Sequence, residues 1–234
     1  SLNLVDFSVL FLGRRNNGFI MDKTTGQKMS KSKGEAIDPD EQVAKFGADA
    51  VRMYFAFLGP YDQNYFWNSE GLLGVRRFLD RVWNFVQKIK DKKLKLKTNN
   101  SQIDLVINKA VKDIGNDIKQ HKFNTGVSYL MKLLNALEEL VDSHHKLETR
   151  NYELLLKLLA PYAPHMTEEL WQGVLGNETS IHLEKWPEFD EALLLEESLT
   201  LVIQINGKFR DSIVIKRGLS EDEAKELVMA NEKI

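Results

Sequence analysis

The sequence has no cysteine. That absence excludes disulfides, thiolate zinc sites and a cysteine nucleophile, and it fits a reducing cytoplasm. No apolar run approaches the roughly 20 residues of a membrane-spanning helix, so no membrane association is expected. The opening SLNLVDFSVLFLG is apolar but short and lacks a basic leader, so it reads poorly as a signal peptide. A start at Ser1 and an end at Ile234 in mid-pattern point to a piece of a longer chain. Histidine is scarce, at five residues, and no His/Asp/Glu grouping has metal-ligand spacing, so no metal site is expected. A large charge of one sign is also missing. The net charge of −2 argues against a constitutive nucleic-acid coat.

The charge is unevenly placed. Residues 1–97 hold 17 Lys+Arg against 11 Asp+Glu, whereas residues 98–234 hold 15 against 23. An anionic ligand such as ATP or RNA is therefore favoured by the first part, although a charged solvated surface accounts for the split equally well. Hydrophobic residues at 43% and charged residues at 28% are enough for a globular core and exclude wholesale disorder.

Local signals predict a mainly α chain. Residues 1–27 carry two short apolar runs without a clear period; Thr24-Thr25-Gly26 reads as a turn after Gly18-Phe19-Ile20-Met21, in a short hairpin leading into Lys28. Asp38 as N-cap, Pro39 at the first position and Glu41 in a capping box start a helix that stops at Gly47. A second helix runs from about Asp49 to Leu58, and Tyr61 to Trp67 reads as a connector. Apolar residues then recur at three- and four-residue steps over about 69–90, 103–118, 125–144 and from near Arg150, with Pro164 restarting a helix to about Leu175. Short loops between them predict an antiparallel bundle. Ile181–Trp186 looks extended. Leu199–Ile205 and Phe209–Ile215 flank Asn206-Gly207, a strong hairpin signal, and Ser220 with Glu223 caps a closing helix over about 221–231.

The sharpest chemical feature is Lys28-Met29-Ser30-Lys31-Ser32-Lys33-Gly34. Lysines alternating with small or flexible residues can bring ammonium groups and backbone N–H donors onto a polyphosphate. By composition alone an exposed basic loop is the plainer reading. The run KMSKS-KG, then Ile37-Asp38-Pro39-Asp40 and Phe46-Gly47-Ala48-Asp49-Ala50-Val51-Arg52, resembles the second signature of class I aminoacyl-tRNA synthetases. That resemblance implies a loop that closes over ATP, with Lys31 and then Lys28 stabilising phosphate charge as an amino-acid carboxylate displaces pyrophosphate. Met29, Ser30 and Ser32 complete the implied ATP-binding set, the serines holding the loop's shape. Glu35 departs from the family's usual Asn and adds a carboxylate next to the lysines of the loop.

The order of further motifs is similar to leucyl-tRNA synthetases of bacterial type: WNSEGLLGVRRFLDRVW (67–83), HKFNTGVSYLMKLLNAL (121–137), LLLKLLAPYAPHMTEELWQGVLG (154–176), SIHLEKWPEFD (180–190) and LTLVIQINGKFRDSIVI (199–215). The likeness implies four parts. Residues 1–67 are the C-terminal piece of a catalytic domain, 68–178 an anticodon-binding helical bundle, 179–198 a linker, and 199–234 part of a small α/β C-terminal domain. Residues 1–20 match least and fit the tail of an insertion. Arg76, Arg77 and Arg81 are the candidate tRNA-phosphate contacts on the first bundle helix, set against an ordinary solvated face with ion pairs that include Asp80. Lys208 and Arg210, flanking the tight turn, are further tRNA candidates. Trp83, Phe78 and Phe85 follow the apolar stripe and read as core.

The resemblance implies a cytoplasmic, monomeric ligase that uses ATP with Mg2+ and charges tRNA(Leu), with leucine held by an upstream part of the enzyme. The family's other signature, of the His-x-Gly-His type, fits none of His121, His144, His145, His165 or His182, so the piece alone is expected to be inactive. Another synthetase of the valyl, isoleucyl or methionyl group, and a non-catalytic tRNA-binding module, remain the alternatives.

Overall fold

The computed structural model describes residues 13–30, 37–88, 101–143, 147–194, 198–205, 208–216 and 220–229. The chain divides into two compact units, Ser1–Phe189 and Asp190–Ile234.

The first unit opens with strand β1 (Ile20–Met21), then helices α1 (Pro39–Phe46) and α2 (Ala48–Phe57), and strand β2 (Tyr65–Phe66). Asp38 caps α1 as its sequence position requires, its carboxylate accepting from Asp40 N at 2.9 Å. Gly47 divides α1 from α2 at φ +88° and ψ 151°, a backbone region that is essentially glycine's own. Residues 61–67 are not a plain connector, because two of them form β2 and pair in parallel with β1. Parallel neighbours need a crossover, and α1 with α2 supplies it. The strands can approach because Gly18 has no side chain: a Cβ there would fall 1.6 Å from the Gln63 carbonyl oxygen.

The bundle follows: α3 (Ser69–Gln87), α4 (Ser101–Lys119), α5 (Phe123–Asp142), α6 (Thr149–Leu159) and α7 (Pro164–Gly173). Their apolar stripes make one core. Leu72, Val75, Phe78, Leu79, Val82, Phe85 and Val86 of α3 are buried, and Trp83 is half-buried against them. On α5 the buried stripe includes Leu133 and Leu140, while Met131 and Val141 lie at its margin. The stripe is wider than the sequence pattern because α5 packs against α2, α3, α4 and α6. The α4–α5 turn closes with Lys122 N donating to Asp117 O at 2.8 Å and His121 N to Ile118 O at 3.1 Å. His121 takes φ +60° there, at a position glycine usually fills.

Residues 181–183 are not extended. They form a 3-10 turn that buries Ile181. The Glu168 carboxylate fixes it by accepting from Ile181 N at 2.9 Å and from Ser180 Oγ at 3.1 Å.

The second unit holds a 3-10 turn (Ala192–Leu194), strands β3 (Ser198–Ile205) and β4 (Lys208–Lys216), and helix α8 (Glu221–Met229). β3 and β4 are antiparallel, with an irregularity between Ile203 and Gln204. The Asn206-Gly207 turn signal lies outside the described residues. The Ser220/Glu223 box is formed, Glu223 accepting from Ser220 N at 2.7 Å while Glu223 N donates to Ser220 Oγ at 3.3 Å. The architecture is mainly α, a helical bundle with a small α/β addition, as its sequence pattern predicts.

Candidate functional site

In the sequence the lysine loop lies between a tight turn and a capped helix. Before it, the Asp22 carboxylate accepts from Thr24 N at 2.9 Å, Thr25 N at 2.6 Å and Thr25 Oγ1 at 2.9 Å. The Thr25 amide and hydroxyl bonds hold this carboxyl below the usual aspartate range. Asp22 N donates to Gln27 O at 2.8 Å, and Gly26 N to Asp22 O at 2.9 Å. The chain then runs back along β1, with Lys28 bridging Met21 and Met29 N donating to Ile20 O at 3.0 Å. The hairpin predicted ahead of Lys28 is therefore present as a turn on β1. Lys28, Met29 and Ser30 are described; Lys31, Ser32, Lys33, Gly34 and Glu35 lie outside the described residues. The Lys28 ammonium stands 4.1 Å from the centroid of the Phe19 ring.

On α3 the three arginines stand in different surroundings. Arg76 donates from Nη1 to the Phe46 carbonyl at 3.0 Å, closing the end of α1, and its Nε meets Asp80 Oδ1 at 3.0 Å. Arg81 reaches α5, donating to Asn135 Oδ1 at 2.7 Å and pairing with Glu138. Arg77 is exposed and makes no hydrogen bond or ion pair with the described residues. Only the Arg76–Asp80 pair follows from helical spacing; the Phe46 and α5 partners are tertiary and leave no local signal.

A residue that local patterns miss is Asp49. Its buried carboxylate caps α7, accepting from Met166 N at 2.7 Å and meeting His165 Nδ1 at 2.7 Å. A cleft of about 460 Å3 opens beside it, between the α1–α2 junction, α3 and α7, with Arg76, Asp80, Trp83 and His165 on its walls. In the second unit, Lys208 is the first residue of β4 and Arg210 is exposed further along it. Among the described residues, no group of three or more His, Asp or Glu side chains could hold a metal ion, and no helix is long and apolar enough to cross a membrane.

The family model described as the anticodon-binding domain of tRNA ligase matches residues 100–226, more than half of the chain. The chain belongs to this family. A second model, for class I tRNA synthetases of the I, L, M and V group, matches residues 14–68 and so spans the lysine loop, α1 and α2. Leucine–tRNA ligases from two strains of Dehalococcoides mccartyi are each 39% identical over 237 aligned positions, covering 100% of this chain. The chain spans 29% of the length of these relatives. Among solved structures, a LeuRS of Agrobacterium radiobacter K84, in a ternary complex with tRNA and LeuAMS, superposes with a TM-score of 0.75 at 29% identity, over 93% of this chain and 30% of that one. A methionyl-tRNA synthetase of Mycobacterium tuberculosis bound to methionyl-adenylate gives a TM-score of 0.54 at 13% identity, over 67% of this chain and 37% of that one. That second likeness is one of fold alone.

Proposed function

We propose that this chain is a segment of a leucine–tRNA ligase, the ATP-dependent enzyme that joins leucine to tRNA(Leu). The observation that carries the reading is the 39% identity to leucine–tRNA ligases along the whole chain. In the parent reaction a leucine carboxylate oxygen bonds to the α-phosphorus of ATP and the bond to the β-phosphate bridging oxygen breaks, so that its electron pair leaves with pyrophosphate. A hydroxyl of the tRNA then attacks the leucyl carbonyl and AMP departs. Residues 1–67 supply the phosphate loop, 68–178 the tRNA-binding bundle, 179–198 a linker and 199–234 part of the C-terminal domain.

Lys31 and Lys28 stabilise the charge on the phosphates, within a loop completed by Met29, Ser30 and Ser32. Such a site acts through fixed positive charge at the place where negative charge grows. Mg2+ comes with the nucleotide's own phosphates. On α3, Arg77 is the leading phosphate contact for tRNA, since its guanidinium is unengaged by the described residues. Arg76 and Arg81 contact the same backbone while holding their protein partners. Lys208 and Arg210 contact tRNA from the C-terminal ribbon. The parent acts as a monomer in the cytoplasm.

The test is leucine-dependent ATP–pyrophosphate exchange by the full-length parent, compared with valine, isoleucine and methionine. Exchange led by leucine is expected, and none from this chain alone, since the leucine pocket is assigned to the upstream part of the enzyme and no histidine of the chain fits the first signature. Exchange led by another of the four amino acids would overturn the leucyl assignment.

A further inference from the structure

We propose that Phe19 is a positioning residue for the phosphate loop, its ring holding the Lys28 ammonium where it meets the nucleotide. The proposal rests on the assignment of Lys28 to ATP made above. The ammonium lies 4.1 Å from the ring centroid, inside the distance at which a cation is attracted to an aromatic face. The Phe19 backbone is held at both of its polar groups. Its amide donates to Asn64 Oδ1 at 2.8 Å, and its carbonyl accepts from Tyr65 N at 3.0 Å. Lys28 is tied to the same strand by its bridge to Met21 and by the Met29 N to Ile20 O bond. The charge and the ring therefore lie on the two sides of one hydrogen-bonded turn, at the first residue of the loop.

The chemistry of this contact suits a phosphate-binding lysine. Among the described residues Lys28 makes no hydrogen bond or ion pair. A carboxylate in place of the ring would fix the ammonium equally well, but it would cancel its charge and occupy its N–H donors. An aromatic face accepts no conventional hydrogen bond, so the three donors remain open to phosphate oxygens. Phe19 itself is 49% exposed, so packing does not account for a large apolar side chain at this point.

The experiment measures ATP–pyrophosphate exchange by the full-length ligase, with KM and kcat for ATP and for leucine, in Phe19→Leu, Phe19→Tyr, Lys28→Met and the Phe19→Leu/Lys28→Met double variant. Phe19→Leu keeps apolar bulk without a π face. It is expected to lower kcat/KM for ATP roughly two- to fivefold, the weight of an exposed cation–π contact, with KM for leucine unchanged. Phe19→Tyr, which keeps the face, restores the parent value. In the Lys28→Met background Phe19→Leu adds no further loss. If Lys28→Met is impaired while Phe19→Leu matches the parent, the inference fails and the phosphate role of Lys28 stands. An equal loss from Phe19→Leu with and without Lys28 shows a ring that only supports the turn, which also overturns it. If Lys28→Met is itself unchanged, both the inference and the phosphate role of Lys28 fall.

Discussion

The Asp49 carboxylate caps helix α7 from 117 residues away, its Oδ2 accepting from Met166 N at 2.7 Å while Oδ1 meets His165 Nδ1 at 2.7 Å. Asp49 lies in the stretch matched by the class I synthetase model, and α7 in the stretch matched by the anticodon-binding model. One side chain therefore joins the two sequence regions inside a single unit. It also satisfies amides that helix α7 cannot pair internally.

Asp49→Ala leaves the first-turn amides of α7 without this acceptor. It is expected to cost about 1–2 kcal/mol, the usual loss for a helix cap. Asp49→Asn keeps a carbonyl acceptor and should cost less. His165→Ala removes only the exposed side-chain partner and should cost least. Urea unfolding of the four proteins checks the order. A loss on His165→Ala as large as that on Asp49→Ala would show that the histidine contact, and not the cap, stabilises the junction.

The extent to which the sequence announces this structure differs by element. Asp38-Pro39 and Gly47 bracket α1 to the residue, because caps and breakers act locally. The α3 stripe is legible for the same reason: its period alone selects the buried face. The β1–β2 pair is not legible, since two-residue strands show no alternation and their pairing crosses 45 residues. The end of α4 falls within one residue of the last apolar residue of its stripe, although His121, not glycine, takes the left-handed position after it. At the candidate site, the KMSKS motif and the Arg76–Asp80 spacing are readable. The Phe46, Asn135 and Glu138 partners of Arg76 and Arg81 depend on how helices meet in space.

Asp22 should titrate below an ordinary aspartate. Its three bonds from Thr24 and Thr25 favour the carboxylate, so its folded value is lowered. A lowered folded value means that this group's contribution to stability is complete above the ordinary aspartate range. It is lost as pH falls through the lowered folded value. Carboxyl-carbon NMR of the chain checks the midpoint, and Thr25→Ala should raise it. A midpoint at or above the ordinary aspartate value would show that the turn ahead of the loop is not held by these bonds.

If the parent is the proposed ligase, Lys31→Ala in the full-length protein is expected to slow adenylate formation roughly a hundred- to a thousandfold, the usual loss for one transition-state donor. Leucine affinity should change far less, since the lysine is assigned to the phosphates. Pre-steady-state adenylation with a separate leucine titration distinguishes the two. Unchanged adenylation with weakened tRNA binding would make the loop an RNA-binding element.

The arginines of α3 offer the final test, because their surroundings separate the proposed RNA contact from structural duty. Arg76 closes the end of α1 and pairs with Asp80, so Arg76→Ala should lower stability as well as tRNA affinity. Arg77 has no partner among the described residues, so Arg77→Ala should leave unfolding unchanged. If Arg77 meets a phosphate, its loss should flatten the dependence of log affinity on log salt by up to about one unit. Phosphate contacts position the RNA without reading its sequence, so the weakening should be nearly equal for two leucine isoacceptors with different anticodons. Titrations of both tRNAs at several salt concentrations, beside urea unfolding of each variant, measure all of these effects. An unchanged salt slope for Arg77→Ala would leave that residue a solvated side chain. A loss confined to one isoacceptor would mean that α3 reads bases.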